Sequence, residues 1–399
     1  MIKIAERVKN LKPSATLAVD AKAKALKESG IEVINLSAGE PDFDTPDYIK
    51  SAAKKALDNG MTKYVATPGL ISLRKAICER LKIDYGFDYT PEEVLVTTGA
   101  KQAIFNFLLA VLNKGDEVLI LSPYWVSYPA MVEIAEGIPK IIPSFIEKKF
   151  EPDISEIEKN ITSKTVGIII NSPSNPTGLI YSEDFLKGVA ELAKKYDLWI
   201  LSDDIYDKLR FDFKPPQNIL SFASELRDRV FMVNGASKTY AMTGWRIGWL
   251  IGPKEIIKVC SNIQGQSTSH ATSFAQKAAE IALTSPQDEV ERMCKIFAQR
   301  AQLLSRILRE IPGIEFIPPQ GAFYLFAKVS AYFNKKTPEG KEIKGSVSFS
   351  EYLLDSAKVA VVPGSAFGDD EFVRISFANS EENLKKAVYE IKKALERLN

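Results

Sequence analysis

Val166-Gly167-Ile168-Ile169-Ile170 carries no polar side chain, and it runs into Asn171-Ser172-Pro173-Ser174-Asn175-Pro176-Thr177-Gly178. A half-exposed strand alternates apolar and polar residues. A continuous β-branched run instead predicts a strand covered on both faces, as in a parallel sheet. Outward from it the pattern repeats. A helical period runs from about Ser182 to Lys195, and the strand Leu198–Leu201 follows. Val230–Val233 and Ile247–Ile251 read as further strands. Upstream, the strand Val94–Thr97 leads at Gly99 into a helix through Leu112, and the strand Glu117–Leu121 ends in a Ser-Pro turn. Strand, helix and strand repeated this often predict an α/β fold with a mainly parallel sheet.

After about residue 286 the rhythm changes. A long helix (Gln287 to Ile311) precedes short strands at Ile314–Ile317 and Phe323–Ala327. A helix near Phe349–Asp355, strands at Val359–Val362 and Phe372–Phe377, and a last helix from Ser380 follow. This is α+β, and it predicts a second, smaller domain. The first 45 residues, amphipathic and helical up to Gly30 with no partner strands nearby, are assigned to it. The expected division is a large domain of residues 46–285 and a small one of 1–45 with 286–399. At about 150 residues per domain, the chain's length suits two or three. Asn334 to Ser346, rich in Lys and Gly, reads as a flexible insert.

Composition removes several function classes. Lys plus Arg number 52 and Asp plus Glu 51, leaving +1 with His neutral. Such balance argues against nucleic acid or a membrane surface as partner. No stretch reaches the ~18 consecutive apolar residues of a transmembrane helix. Met1–Arg7 has no apolar signal core, which predicts a cytoplasmic protein. One histidine, His270, and three scattered cysteines (Cys78, Cys260, Cys294) predict neither a metal centre nor a disulfide framework. Gly-x-Ser-x-Gly, Gly-x-Gly-x-x-Gly and Gly-x-x-x-x-Gly-Lys-Ser/Thr are all missing. Serine hydrolases, dinucleotide enzymes and P-loop enzymes therefore lose their usual marks. Proton chemistry is left to lysine, tyrosine or carboxylates, eased by a borrowed cofactor.

In open α/β sheets, ligands bind beyond the carboxyl ends of the strands. The residues there are Thr98-Gly99-Ala100-Lys101, Tyr124-Trp125, Asn171 to Gly178, Ser202-Asp203-Asp204-Ile205-Tyr206, and Asn234-Gly235-Ala236-Ser237-Lys238 with Gly244-Trp245-Arg246. Each alone has an ordinary explanation. Gly99-Ala100 can simply begin a helix, Asp203 can be an N-cap, Asn175 to Gly178 can be a turn, and Lys238 can be a solvated charge. Together they suit one ligand, an aromatic phosphate ester with a carbonyl and a ring nitrogen. Amides at Gly99 and Ala100 would hold the phosphate, and Arg246 would pair with it. Trp125 offers a flat face, Asp203 would keep the ring nitrogen protonated, and Asn175 and Tyr206 would donate to a ring oxygen. Lys238 would bond covalently to the carbonyl carbon. The ligand these groups describe is pyridoxal phosphate.

These residues also carry a resemblance that covers essentially the whole chain. Its marks are Lys12-Pro13-Ser14-Ala15-Thr16, Ala38-Gly39-Glu40-Pro41-Asp42, Lys63-Tyr64, Pro123 to Tyr128, Asn175-Pro176-Thr177-Gly178 and Val373-Arg374-Ile375-Ser376. The strongest is Gly235-Ala236-Ser237-Lys238 with Gly244-Trp245-Arg246-Ile247-Gly248. The chain resembles the class I, fold-type I pyridoxal-phosphate aminotransferases, and within them the bacterial aspartate aminotransferases that also act on prephenate. The resemblance implies a seven-stranded sheet, pyridoxal 5′-phosphate, and a homodimer with shared sites, in which Tyr64 reaches the partner's phosphate. It implies Lys238, Asp203 and Tyr206 as catalytic residues. Ser237, Lys101 and the groups above would hold the cofactor. Arg374 would bind the substrate α-carboxylate, with Gly39, Trp125 and Asn175 around it. Lys101, with Lys12 and Thr16, would meet a second carboxylate.

Read without the family, Arg374 is a sheet-edge charge and the Lys101 side chain is solvated. Many relatives have a serine three residues before the lysine where this chain has Gly235, which leaves open the hydroxyl that touches phosphate. His270 reads as a structural or interface residue. Other functions stay in competition: an aromatic or alanine aminotransferase, a carbon–sulfur lyase on the same cofactor, a transcription regulator with a similar effector domain, and an NAD oxidoreductase.

Overall fold

The computed structural model describes residues 2–9, 11 and 15–399, the side chains of 15–17 excepted. Its largest sheet has seven strands, in the order Val94–Thr97, Gly248–Ile251, Val230–Gly235, Trp199–Asp203, Thr165–Asn171, Glu117–Leu121 and Ile138–Ile142. All neighbours run parallel except Gly248–Ile251, which is antiparallel to both of its own. The run that opened the argument explains the layering. Ile168 and Ile170 point into one core with Phe185, Val189 and Ala278, whereas Ile169 points into another with Phe107, Leu108 and Val132. Both faces are covered, so the strand has no reason to alternate. Gly167 lies under the Trp199 indole, where a Cβ would collide with the ring.

A second, antiparallel sheet has the order Val362–Pro363, Phe372–Ser376, Tyr324–Lys328 and Glu315–Phe316. Helices Asp288–Leu308, Ser346–Ala357 and Glu381–Leu395 supply Phe297, Leu304, Phe349, Leu384 and Ile391 to its core. That core also takes in Ile205, Tyr206 and Leu209 from the large sheet's edge. The small sheet thereby faces the carboxyl ends of the parallel strands. Among the described residues no helix is long and apolar enough to cross a membrane.

The structure departs from these expectations in four places. The strand Ile138–Ile142 went unread because Pro139 and Lys140 interrupt its apolar pattern. It is an edge strand, where proline's missing N–H is tolerated. The first 45 residues do have a partner strand, since Ile34–Asn35 pairs in parallel with Val359–Ala360. The single strand expected over Val359–Val362 is thus split, and Val362–Pro363 pairs instead with the Phe372–Ser376 strand. The insert read as flexible is a closed hairpin. Asn334 N donates to Ile343 O (2.8 Å), Ile343 N to Lys335 O (2.9 Å), and Lys336 and Asn399 exchange backbone bonds at 2.8 and 3.1 Å.

Candidate active site

A cavity of about 360 Å³ lies where the parallel strands end against the small sheet. Gly39, Ala100, Lys101, Trp125, Asn175, Asp203, Tyr206, Ser237, Lys238, Arg246 and Arg374 all line it. Residues far apart in sequence meet there because successive parallel strands deliver their ends to one edge.

The helix Ala100–Val111 opens on this cavity from Gly99, whose φ is 83°. Its first-turn amides lack acceptors within the helix, and the positive end of its dipole favours an anion. A Cβ on Gly99 would lie 2.5 Å from Arg246 Nη2, so glycine is what admits the guanidinium. Arg246 itself holds a left-handed φ of 57° and donates through Nη1 to Thr243 O at 2.9 Å. A non-glycine residue in that region carries strain that its surroundings must impose. Ser237 and Ser127 are the serine hydroxyls on the cavity wall. No side chain fits at Gly235, where a Cβ would lie 2.9 Å from Ile247 O and 3.0 Å from Gly248 Cα.

Asp203 ends its strand and is 4% exposed. Its carboxylate accepts from the Tyr128 hydroxyl at 2.7 Å and from Ile205 N at 3.3 Å. Burial raises its pKa to about 6, against the pull of these donors and of Lys238. Asn171 Nδ2 donates to Asp203 O and Asn171 Oδ1 accepts from Asn175 N, both at 2.8 Å. That pair fixes the turn that presents Asn175. The Lys238 amine donates to Gly39 O at 2.7 Å. Burial lowers its pKa to about 8; Arg246 and Arg374 push the same way, and Glu40 and Asp203 oppose.

Arg374 is no edge charge. It sits on an internal strand, 1% exposed, over the rings of Tyr324 (4.3 Å) and Phe367 (5.1 Å). Nη1 donates to Asn175 Oδ1 at 3.0 Å and Nη2 to Ser37 O at 2.7 Å, while Nε has no partner. No carboxylate among the described residues pairs with it. A buried cation without a counter-ion is costly, and a bound anion would remove that cost. Lys101 Nζ stands at the rim, 5.0 Å from the centre of the Trp125 ring, with its pKa lowered by burial and by Arg246.

The remaining assignments fall elsewhere. Tyr64 is 90% exposed and outside the cavity, with its ring edge-on to His270 at 5.7 Å. His270 accepts from Val65 N at 3.4 Å, which ties it to the Tyr64 loop. Lys12 and the Thr16 side chain lie outside the described residues; the Thr16 backbone belongs to the helix Ala15–Glu28. Tyr128, Tyr324, Asn171 and Ser127 line the cavity without having been singled out as site residues. Tyr128 stood in a quoted motif three residues after Trp125; it lies in the first turn of the helix Ser127–Ile134, its ring edge-on to that of Trp125. Tyr324 gave no signal, because Phe323–Ala327 reads as core.

Comparison with known proteins agrees with this geometry. The family model described as aminotransferase class I and II matches residues 31–391. A Rickettsia felis protein named "probable aspartate/prephenate aminotransferase" is 46% identical over 392 residues, 98% of this chain and 96% of that protein. The solved aspartate aminotransferase of Rhizobium meliloti superposes with a TM-score of 0.95 at 42% identity, covering 100% of both chains. That of Thermus thermophilus, solved with maleate, gives 0.92 at 41% identity over 99% of this chain and 100% of that one.

Proposed function

This chain belongs to the aminotransferase class I and II family, and from that premise we propose that it moves an amino group between aspartate or glutamate and a 2-oxo acid. The acceptors are 2-oxoglutarate or oxaloacetate, with prephenate as a further one, and the cofactor is pyridoxal 5′-phosphate. One observation carries the reading: the carboxylate-free guanidinium of buried Arg374 opens on the same cavity as the Lys238 amine. An α-carboxylate and the amino group beside it need that pair of groups. The relatives' names and the maleate bound by the Thermus enzyme, itself a dicarboxylate, support the choice of substrate.

The residues present fit the cofactor. Gly99, Ala100, Lys101, Ser237 and Arg246 would hold its phosphate, Trp125 would face its ring, and Asn175 and Tyr206 would donate to its ring oxygen. Asp203, a buried carboxylate aimed into the cavity without a full counter-charge, would meet the ring nitrogen, and Lys238 its carbonyl carbon. When bound, the group supplies an electron sink for the substrate's α-carbon. The protein's own share is positioning and proton movement. Arg374 would grip the α-carboxylate with two parallel donors. Lys238, with a pKa near 8, has an accessible neutral form near neutral pH and can carry the α-proton as a general base. Lys101, at the rim, would take a second carboxylate, and a point charge on a flexible stem accepts carboxylates at different distances.

The working form on this reading is a homodimer, in which exposed Tyr64 would reach the partner's phosphate. The division we favour is a large domain of residues 46–285 and a small one of 1–45 with 286–399. The pairing of Ile34–Asn35 with Val359–Ala360 supports it. Adding pyridoxal phosphate to the purified protein should produce a visible absorbance band that bleaches with aspartate or glutamate and returns with a 2-oxo acid. Borohydride should trap the cofactor on Lys238, and Lys238→Ala should bind it without turnover. Release of ammonia and pyruvate from a sulfur amino acid with no amino-group transfer from aspartate or glutamate, or an adduct on another lysine, would overturn the reading.

A further inference from the structure

Tyr206 and Tyr324 are both buried, at 4% and 0% exposure, with their hydroxyl oxygens 3.1 Å apart and their rings at 83°. Burial raises both phenols above their ordinary pKa, so each keeps its proton. A phenol has one proton to give. If Tyr206 spends its proton on a ring oxygen in the cavity, the bond between the two tyrosines can exist only with Tyr324 as donor. Tyr324 has no competing acceptor in view. Arg374, 4.3 Å over its ring, is a pure donor, and among the described residues the Tyr324 hydroxyl makes no hydrogen bond other than the one to Tyr206. The register places Tyr324 opposite Ser376 and Phe326 opposite Arg374, so Tyr324 and Arg374 lie diagonally on one face of the small sheet. The cation there makes the Tyr324 hydroxyl a stronger donor.

We propose that Tyr324 is a positioning residue that donates to the Tyr206 hydroxyl and thereby directs the Tyr206 proton at the cofactor's ring oxygen. The proposal rests on the assignment of Tyr206 to that oxygen. A donor that itself accepts a hydrogen bond is polarised into a stronger donor. Removing Tyr324's hydroxyl therefore weakens the stabilisation of negative charge on the ring oxygen and raises that oxygen's proton affinity.

The test is a pH titration of the visible absorbance of the cofactor-loaded protein, a readout independent of turnover. Tyr324→Phe should move the midpoint to higher pH by about half a unit. Tyr206→Phe should move it further in the same direction. The double variant should match Tyr206→Phe alone, because Tyr324 acts only through Tyr206. A merely structural tyrosine would add its shift in either background. Tyr324→Met, which removes the donor with an adaptable side chain, replaces the phenylalanine variant if that one does not fold. An unmoved midpoint in the single variant, or equal shifts in both backgrounds, overturns the proposal. A wild-type protein with no visible band overturns the cofactor assignment beneath it instead.

Discussion

Asp203 and Asp204 are consecutive, equally buried at 4% and 2% exposure, and turned toward two different regions. Asp203 faces the cavity, where Tyr128, the Ile205 amide and the charge of Lys238 restrain the rise of its pKa to about 6. Asp204 faces the core behind the strand. There it accepts from the Ser202 hydroxyl at 2.8 Å and from Asn218 Nδ2 at 2.7 Å, and a second carboxylate, Asp207, lies near enough to raise its pKa further. Asp207 in turn accepts from Tyr85 (2.7 Å) and Asn234 (2.9 Å), and Asn234 accepts from Gly235 N at the turn into Lys238. Burial alone makes neither residue catalytic. The front carboxylate is poised to ionise against a cation, whereas the back one, its pKa pushed up by burial, ties its strand to Asn218.

The largest test separates the two. Asp203→Ala should lower kcat by about 10²–10³-fold or more, as expected for losing a charge aimed at the reacting group. Asp204→Ala should leave kcat of the folded enzyme within a few-fold. Its cost is stability: Ser202 and Asn218 lose their acceptor, about 1–3 kcal/mol for each donor left unpaired. Steady-state kinetics beside urea melts read both. Equal loss of kcat with no loss of stability would erase the distinction between front and back.

The same pair sharpens through pH. In the cofactor-free protein Asp203's pKa rises from 3.8 to about 6. Below pH 4 both folded and unfolded chains carry that proton, and nothing is lost. Between about 4 and 6 the unfolded chain gives it up first, so the folded state holds more protons and stability falls as pH rises. The full penalty, reached above pH 6, is about 3 kcal/mol. Subtracting the Asp203→Asn stability curve isolates it. A flat difference curve would mean that Asp203 is no more strained than a surface carboxylate. Cofactor loading should remove the slope by supplying the missing cation.

Next comes the rim. If Lys101 meets the second carboxylate, Lys101→Ser loses a charged hydrogen bond of about 1.5–3 kcal/mol, roughly 10- to 150-fold in kcat/KM for aspartate and glutamate. Phenylalanine, lacking that carboxylate, should be nearly unaffected. Equal losses on aspartate and phenylalanine would place Lys101 with the cofactor and not with the substrate.

What was legible in the sequence follows from what each residue obeys. The parallel strands showed because Ile168, Ile169 and Ile170 fill cores on both faces, and the strand ends delivered Asn175, Asp203 and Lys238 because ligands gather there. Arg374 came only from resemblance: a cation on an internal strand contradicts every pattern rule, and its burial is the functional exception. Tyr324 was hidden for the opposite reason, since it obeys the core pattern perfectly and only its hydroxyl's neighbour reveals a role. Ile138–Ile142 was masked by Pro139, whose place at a sheet edge is a tertiary fact.

The smallest expected effect lies on the cavity wall, at Tyr128. Its hydroxyl holds Asp203 at 2.7 Å, and its ring packs edge-on against Trp125 at 5.3 Å. Tyr128→Phe keeps the packing and removes the donor. Burial then acts on Asp203 with less opposition, so its pKa moves up, and a larger share of the carboxyl is neutral at a given acidic pH. A neutral carboxyl holds a ring nitrogen's proton poorly. The acid limb of the kcat profile should therefore shift to higher pH, with a loss near neutrality of about 0.5–1.5 kcal/mol, roughly 2- to 12-fold. The loss should shrink as pH rises and the carboxylate re-forms. A uniform loss at every pH would mean that Tyr128 shapes the Trp125 wall and leaves Asp203's ionisation untouched.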